Sequence, residues 1–486
     1  MSYRNVFSML GKILILSSAF YLFPVIACLC LGEYREILSF AVGAGVSLVV
    51  GVIFYVFKPK TKGIGTKEGL IIVGLSWVLI SVIGALPLFV GGHLSSFIDC
   101  IFEMVSGFTT TGASVLTDFN IPKSMHFWRA FSHWLGGMGI LVFILAVLPL
   151  QNAGSFQLMK FESPGPQVGK LVSKVKVTAA ILYVIYFVLT IIEFLFLKIG
   201  GMDAFNAVML SLSTAGTGGF AATAESIRGF NSVYVEVVIT VFMLIFSINF
   251  NIYYLIIIKR FMVAIKDEEL RFYLIFLFVA TLLITTVNTI SYEPYDNFFT
   301  SLRYSVFAVV SMASTTGFMS ADFALWPLFS QLILLVVMFM GAMAGSTGGG
   351  FKASRGLILL KSAHSDTMHI LRPRGIHSVK LNKKILSEGT IKGVRNHFFM
   401  AIMIIFIAAL LVSLDAKADF TTAITSSLTC FSNVGPGLGS LVGPCGSFAA
   451  LNGFSKISLS IVMLLGRLEI FPILLLFSPR AWSKRY

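Results

Sequence analysis

The sequence predicts an all-α polytopic membrane protein with ten transmembrane helices: four span–pore helix–span repeats around one pore, behind two extra N-terminal spans. Three observations carry that prediction. Hydrophobic residues fill 57% of the 486 positions and charged residues only 12%, against about a quarter charged in soluble domains. Apolar runs of the ~20 residues that a bilayer crossing needs recur along the whole chain. Four long connections between those runs end in the same kind of Gly/Ser/Thr turn. This composition excludes a cytosolic globular enzyme, a disordered chain and a secreted disulfide scaffold.

Taken in order, the apolar runs fall at about 10–31, 38–57, 69–91, 129–150, 177–199, 232–258, 271–291, 327–361, 398–414 and 455–478. The first is too long for a cleaved signal peptide, and bulky Leu31 stands where small residues would mark a cleavage site. Loop charge sets the orientation. Lys58, Lys60, Lys62 and Lys67 occupy one loop, Lys160, Lys170, Lys174 and Lys176 a second, and Lys259, Arg260 and Lys266 a third. The most basic stretch, 352–397, lies between the eighth and ninth runs, while the intervening loops hold acids such as Glu33, Asp118, Glu225 and Asp322. Positive residues thus alternate as the positive-inside rule requires, with both termini in the cytosol. Most of the net charge of +14 is therefore topological and calls for no nucleic acid.

The repeat is read from the outward connections at about 92–128, 200–231, 292–326 and 415–454. Each opens with an apolar segment too short to span and runs into a small-residue turn. The turns are 106–114, 213–220, 311–318 and 429–436, and they align on Gly112, Gly218, Gly317 and Gly435. Repetition at this scale decides the architecture. The implied domains are a two-span extension at 1–57 and pore repeats at 58–150, 151–258, 259–395 and 396–486. Irregular backbone at membrane depth is tolerated only when buried in protein or lining water. Four such turns can aim carbonyl oxygens into one conduit and replace the hydration shell of an alkali cation. Glycine allows the unusual backbone this requires. The partially negative ends of four short helices favour a cation if they face the axis. No carboxylate occurs in the turns, which argues against a calcium-type site.

The eighth run is too long for one straight crossing. As a helix, 327–360 would reach roughly 50 Å, against a hydrocarbon core of about 30 Å. Gly341, Gly345, Gly348, Gly349 and Gly350, with Ser346 and Thr347 between them, interrupt it. The reading is a flexible intramembrane loop, with close helix packing through small residues as the alternative. Arg467 sits within the last apolar run, where a cation costs about 2.5–3.5 kcal/mol on insertion scales and is usually paired or functional. Glu469, two residues on, would face another direction on a helix. Trp128 and Trp326 flank spans as interfacial anchors would. The histidines form no metal-binding pattern, and His133 reads as a packed, hydrogen-bonded side chain. Glu103 reads as an anchor for the first turn or a source of negative potential. Asn249 and Asn251 either line an inner vestibule or cross-link helices. Cys430 and Cys445 leave both a disulfide and free thiols open.

Five motifs carry a resemblance: Ser106 to Ser114; Arg129 to Gly139; Asn249-Phe250 with Tyr254; Gly345 to Lys352; and Gly466-Arg467-Leu468-Glu469. Together they resemble the Trk/Ktr/HKT superfamily of potassium transporters over nearly the whole chain, and the two leading spans favour the TrkH-type membrane subunit. The resemblance implies a potassium-selective filter formed by Thr110, Thr111 and Gly112; Thr217 and Gly218; Thr315, Thr316 and Gly317; and Asn433, Val434 and Gly435, the second strand being 216–219. Glycine in all four turns goes with K⁺ rather than Na⁺. It further implies a gate beneath the filter from Gly345, Ser346, Thr347, Gly348, Gly349, Gly350, Lys352 and Arg467. Arg467 then acts as an electrostatic barrier, the alternative being a structural arginine bonded to carbonyls of a broken helix. Lys352 is either a similar device or a snorkelling interfacial lysine.

The expected function is K⁺ uptake across a bacterial plasma membrane, driven by membrane potential. The expected partners are a second copy of the chain, a cytosolic TrkA-type subunit that binds nucleotide and NAD, and membrane lipid. K⁺ is the transported substrate, with no organic cofactor. A K⁺-coupled symporter using H⁺ or Na⁺ is the first competitor. A polytopic membrane enzyme is the second, disfavoured because no His/Asp/Glu cluster marks one membrane face.

Overall fold

The computed structural model describes residues 3–57, 65–139, 175–295, 297–375 and 377–482. Among these, the regular structure is helical apart from a two-residue hairpin, Lys380–Leu381 against Lys384–Ile385. Six helices are long and apolar enough to cross a membrane, seven if one bent pair is a single span. On the helix Glu36–Tyr55 only 28% of the apolar window is buried within the chain, so most of its apolar surface is left to face lipid.

The same sequence of elements occurs four times: a long helix, a short helix, a turn and a second helix. The long helices include Thr66–Gly84, Val175–Ile199, Glu268–Ser291 and Glu388–Val412. The short ones are Phe97–Phe108, Ala204–Gly216, Phe298–Ala313 and Phe420–Ser432. At 12, 13, 16 and 13 residues they cannot span a bilayer. Their starts are fixed alike. The side chains of Ser96, Asp203, Asn297 and Asp419 accept hydrogen bonds from the backbone N–H of Ile98, Asn206, Thr300 and Thr422, satisfying donors a helix start leaves open.

The second helices all stop early: Lys123–Gly137, Val233–Ser247, Leu328–Met340 and Gly453–Arg467. Only the third break was legible in the sequence, so three of the expected continuous spans are corrected. The run 232–258 bends by 91° between Ser247 and Phe250, where the Asn249 side chain caps the following half-helix. The run 455–478 breaks at Glu469 (φ 55°) and Ile470 (φ 73°), and Pro472 opens the next short helix, Phe471–Leu476. The run 129–150 leaves its helix at Gly137 with Gly139 at φ 79°; its remainder from residue 140 lies outside the described residues, as do the basic positions 58–62 and 160–174. Apolar residues flank the second and fourth breaks on both sides, so their few polar positions do not interrupt a hydropathy reading.

Two further expectations change. Trp128 and Trp326 are buried, donating to the Gly84 carbonyl at 3.0 Å and to the Tyr295 hydroxyl at 3.0 Å, so they are packing residues rather than interfacial anchors. The basic stretch 352–397 is not an open loop. It forms the helix Ala353–Leu371, the hairpin, and the first turns of Glu388–Val412.

The leading helices Tyr3–Ser18 and Glu36–Tyr55 meet backbone to backbone. A Cβ at Gly11 would lie 2.6 Å from the Gly51 carbonyl oxygen, and one at Gly51 would lie 2.9 Å from the Ile15 nitrogen. Small residues permit this approach where lipid removes any hydrophobic drive between helices. Gly51→Leu is expected to separate the pair and cost about 1–3 kcal/mol, the usual range for overpacking. The readout is the thermal unfolding midpoint in detergent, and an unchanged midpoint would refute the close approach.

Candidate functional site: four strands and the loop beneath them

Each short helix ends in the same closure. The N–H groups of Thr111, Gly218, Thr316 and Val434 reach back to the carbonyls of Ser106, Ser213, Ser311 and Thr429 at 2.8–3.1 Å, the long bond of a Schellman cap. The residues before them, Thr110, Thr217, Thr315 and Asn433, take the left-handed conformation at φ 54–61°. That position ordinarily goes to glycine, and a β-branched threonine there is strained, by about 1–3 kcal/mol in sparsely populated regions. Gly112, Gly219, Gly317 and Gly435 follow two residues later, also at positive φ.

This fixes the register and corrects one reading. In the second turn, Gly219 and not Gly218 is equivalent to Gly112, Gly317 and Gly435. The second strand is therefore 217–220 rather than 216–219. Consecutive glycines made the alignment ambiguous; the Thr/Asn–x–Gly spacing would have resolved it.

The four strands touch in a closed cycle. A Cβ at Gly112 would lie 2.0 Å from the Gly218 carbonyl oxygen, and one at Gly219 would lie 2.1 Å from that of Thr316. One at Gly317 would lie 1.9 Å from that of Val434, and one at Gly435 would lie 2.7 Å from that of Thr111. Each glycine thus abuts the carbonyl of the next repeat, and four backbone carbonyls form one ring. A cavity of about 90 Å³ lies at one end of the strands, with Gly112, Gly219, Gly317 and Gly435 in its wall. Each short helix enters its strand by its C-terminal end, so four partially negative helix ends meet the other end of the strands.

Buried polar side chains brace this backbone. Glu103 and Arg129 pair at 2.7 Å, essentially without exposure. Glu103 also accepts from the Ser114 hydroxyl at 2.9 Å and the Val115 N–H at 2.8 Å, which makes it an anchor for the first strand. The Arg129 guanidinium lies 4.1 Å over the Phe220 ring. His133 stacks on the same ring at 4.1 Å and contacts the Ser213 hydroxyl at 2.9 Å. Asn433 departs from the threonines usefully: its Nδ2 donates to Thr111 Oγ1 at 2.9 Å, tying the fourth strand to the first.

The glycine-rich segment 341–352 lies against two strand bases. The Gly349 N–H donates to Thr315 Oγ1 at 2.6 Å. A Cβ at Gly348 would meet the Ser314 carbonyl at 2.7 Å, and one at Gly349 that of Ser432 at 2.5 Å. Ser346 and Thr347 bond to the Met343 and Phe246 carbonyls at 2.6 and 3.0 Å. Gly345 accepts from Phe250 N–H. Gly350 packs on Gly341, and the Lys352 ammonium donates to the Gly348 carbonyl. Lys352 is buried, which excludes snorkelling.

Arg467, the last residue of its helix, donates to the Thr347 carbonyl at 2.9 Å, to the Gly137 carbonyl at 2.8 Å, and to that of Gly136. It joins the loop to the broken end of the first repeat. Glu469 pairs with Arg355 at 2.6 Å. Two buried carboxylates within the apolar runs escaped the sequence reading: Glu193, fully buried on Val175–Ile199, and Glu236, paired with Arg303 at 2.6 Å. Both stand inside or beside apolar runs, which is the signal that could have found them.

These features define a class: a helical, multi-pass membrane protein whose four small-residue turns meet in one closed cycle. The chain belongs to the TrkH family of cation transport proteins, matching it over residues 40–486. It is 34% identical over 497 aligned positions to the Trk system potassium uptake protein TrkH of Salmonella typhimurium, with all of both chains covered. It is 33% identical to TrkG of Escherichia coli, covering 99% of this chain and 98% of the other. The crystal structure of the potassium transporter TrkH from Vibrio parahaemolyticus superposes with a TM-score of 0.87 at 28% identity, covering 99% of this chain and 100% of that one.

The Glu103–Arg129 pair yields a prediction. Glu103→Gln leaves a buried guanidinium without its counter-charge and should destabilise by about 3–5 kcal/mol. The double substitution with Arg129→Met should recover part of the loss in thermal unfolding. Equal losses in the single and double variants would contradict a bracing pair.

Proposed function

We propose that the chain mediates potassium uptake across a bacterial plasma membrane through a gated pore, with both termini in the cytosol. The carrying observation is the closed ring of the Thr111, Gly218, Thr316 and Val434 carbonyls, each pressed against a glycine of the adjacent repeat. Such a ring supplies neutral oxygens to an alkali cation in place of water, and the left-handed Thr110, Thr217, Thr315 and Asn433 end it on the side of the glycine-rich loop. Membrane potential drives inward flow, worth about 2.3 kcal/mol per charge per 100 mV. K⁺ is substrate rather than resident cofactor, and the chain works as a transporter without enzymatic chemistry.

The segment Gly345–Gly350 is the gate. With Lys352 and Arg467 it sets two cationic side chains and a packed backbone below the strands. In this reading Arg467 is both barrier and tether. The names of the relatives place them in a Trk system, and this supports assembly with a TrkA-type cytosolic subunit that binds nucleotide and NAD. A homodimer in the membrane is part of the same proposal. A coupled symporter using H⁺ or Na⁺ is the second reading, favoured by the buried carboxylate of Glu193 at membrane depth. Reversal potentials measured at several pH values separate the two, because only coupling makes them follow the proton gradient.

The test is ⁸⁶Rb⁺ uptake into K⁺-loaded proteoliposomes. External K⁺ should compete better than Na⁺. Gly112→Ser should reduce that discrimination by about tenfold or more, since its side chain displaces the Gly218 carbonyl from the ring. Unchanged selectivity in this variant would refute the carbonyl-ring reading.

A further inference from the structure

The glycine-rich loop is held from a side that the strands do not explain. Glu269, in the first turn of Glu268–Ser291, is buried, and its Oε1 accepts two backbone hydrogen bonds. One comes from the Ala344 N–H at 2.7 Å and the other from the Ser354 N–H at 3.1 Å. Ala344 lies on the limb that enters the loop. Ser354 lies in the first turn of Ala353–Leu371, the helix that leaves it. One carboxylate oxygen therefore pins both limbs together. It also serves the exit helix as an acceptor that its start lacks, with negative charge at the partially positive end.

The same helix start is joined to the cytosolic hairpin. Asn382, in the hairpin turn, donates to Asp267 Oδ2 at 2.8 Å and accepts from the Glu268 N–H at 2.9 Å. Lys361 bonds both to the Glu268 carboxylate and to the Lys380 carbonyl, the latter at 2.9 Å. Three consecutive acids thus divide their work: Asp267 and Glu268 hold the hairpin, and Glu269 holds the loop. A cavity of about 730 Å³ borders Glu269, Ala344, Ser354 and Asn382, so the limbs have space beside them into which to part.

We propose that Glu269 is the latch of the gate and that the hairpin around Asn382 is the lever acting on it. Glu269 is a positioning residue: it touches no conducted ion and acts by keeping the two loop limbs together under the strands. Movement of the hairpin pulls on Asp267 and Glu268, shifts Glu269 away from the Ala344 and Ser354 amides, and frees the loop. The lever faces the side on which a cytosolic subunit would dock. The inference rests on the gated-pore reading, but its structural core, a carboxylate clamping two amides, can be tested without flux.

The experiment pairs hydrogen exchange over residues 341–356 with partner-free ⁸⁶Rb⁺ flux, using the full-length chain in lipid. Glu269→Ala removes both bonds and should speed amide exchange on both limbs about tenfold or more, the scale set by losing a buried acceptor, and raise flux. Glu269→Gln keeps an oxygen in place and should stay near wild type, which a merely charge-dependent role would not give. Glu269→Met, of similar size but without an acceptor, should accelerate exchange as Glu269→Ala does, which a packing role would not give. Asn382→Ala, at an exposed turn, should produce a smaller acceleration, and the double variant should be no faster than Glu269→Ala alone, because coupled sites are non-additive. Unchanged exchange in Glu269→Ala overturns the latch, and additive effects overturn the lever. Accelerated exchange with no flux in any variant, including one lacking the loop glycines, upholds the latch and counts against the pore reading instead.

Discussion

A backbone that leaves its helix inside a bilayer must find a partner for every N–H and C=O it frees, because lipid offers none. Most of this structure answers that requirement. The four short helices close on themselves through bonds from Thr111, Gly218, Thr316 and Val434. The left-handed threonines that this closure needs are unfavourable alone, and the surrounding contacts hold them there. Glu103 takes up the first strand, Asn433 ties the fourth to the first, and His133 and Arg129 both pack on Phe220 behind the second. The carbonyl oxygens of Thr111, Gly218, Thr316 and Val434 are drawn into one ring, and such a ring makes a cation the natural occupant.

The same requirement shapes the lower half. Each inner helix breaks after about four turns, and each break is sealed by a different device. Asn249 caps the second, the glycine loop folds back under the third, and Pro472 restarts the fourth. Arg467 bonds the carbonyls exposed by the first break and those of the loop at once. Its half-buried guanidinium is tolerated because several carbonyls stand in for the water it loses. The tether is therefore a cationic side chain, the structural arginine bonded to carbonyls that the sequence offered as one of two readings.

Much of this was legible beforehand, for definite reasons. Apolar runs of bilayer length and the alternation of lysine-rich loops report directly on membrane insertion, so the class followed from composition. The small-residue turns announced themselves by repetition. Register in the second turn was lost because Gly218 and Gly219 look identical as letters, and only backbone angles separate them. The breaks at Ser247 and Glu469 were lost because long apolar stretches flank them on both sides. The few polar residues within, Asn249 in one and Arg467 and Glu469 in the other, do not interrupt a run read by average hydropathy. Glu269 lies just before the apolar run 271–291 and carries no sequence signal; its partners lie 75 and 85 residues further along, a distance no local pattern carries.

The central claim is that a cation sits among the carbonyls of Thr111, Gly218, Thr316 and Val434. The most direct measurement is anomalous scattering from crystals of the chain grown in Rb⁺. The account predicts anomalous peaks on the axis bounded by these four oxygens, weakened when the crystals are exchanged into Na⁺. Rb⁺ located only outside the ring, or peaks that Na⁺ leaves in place, would contradict it.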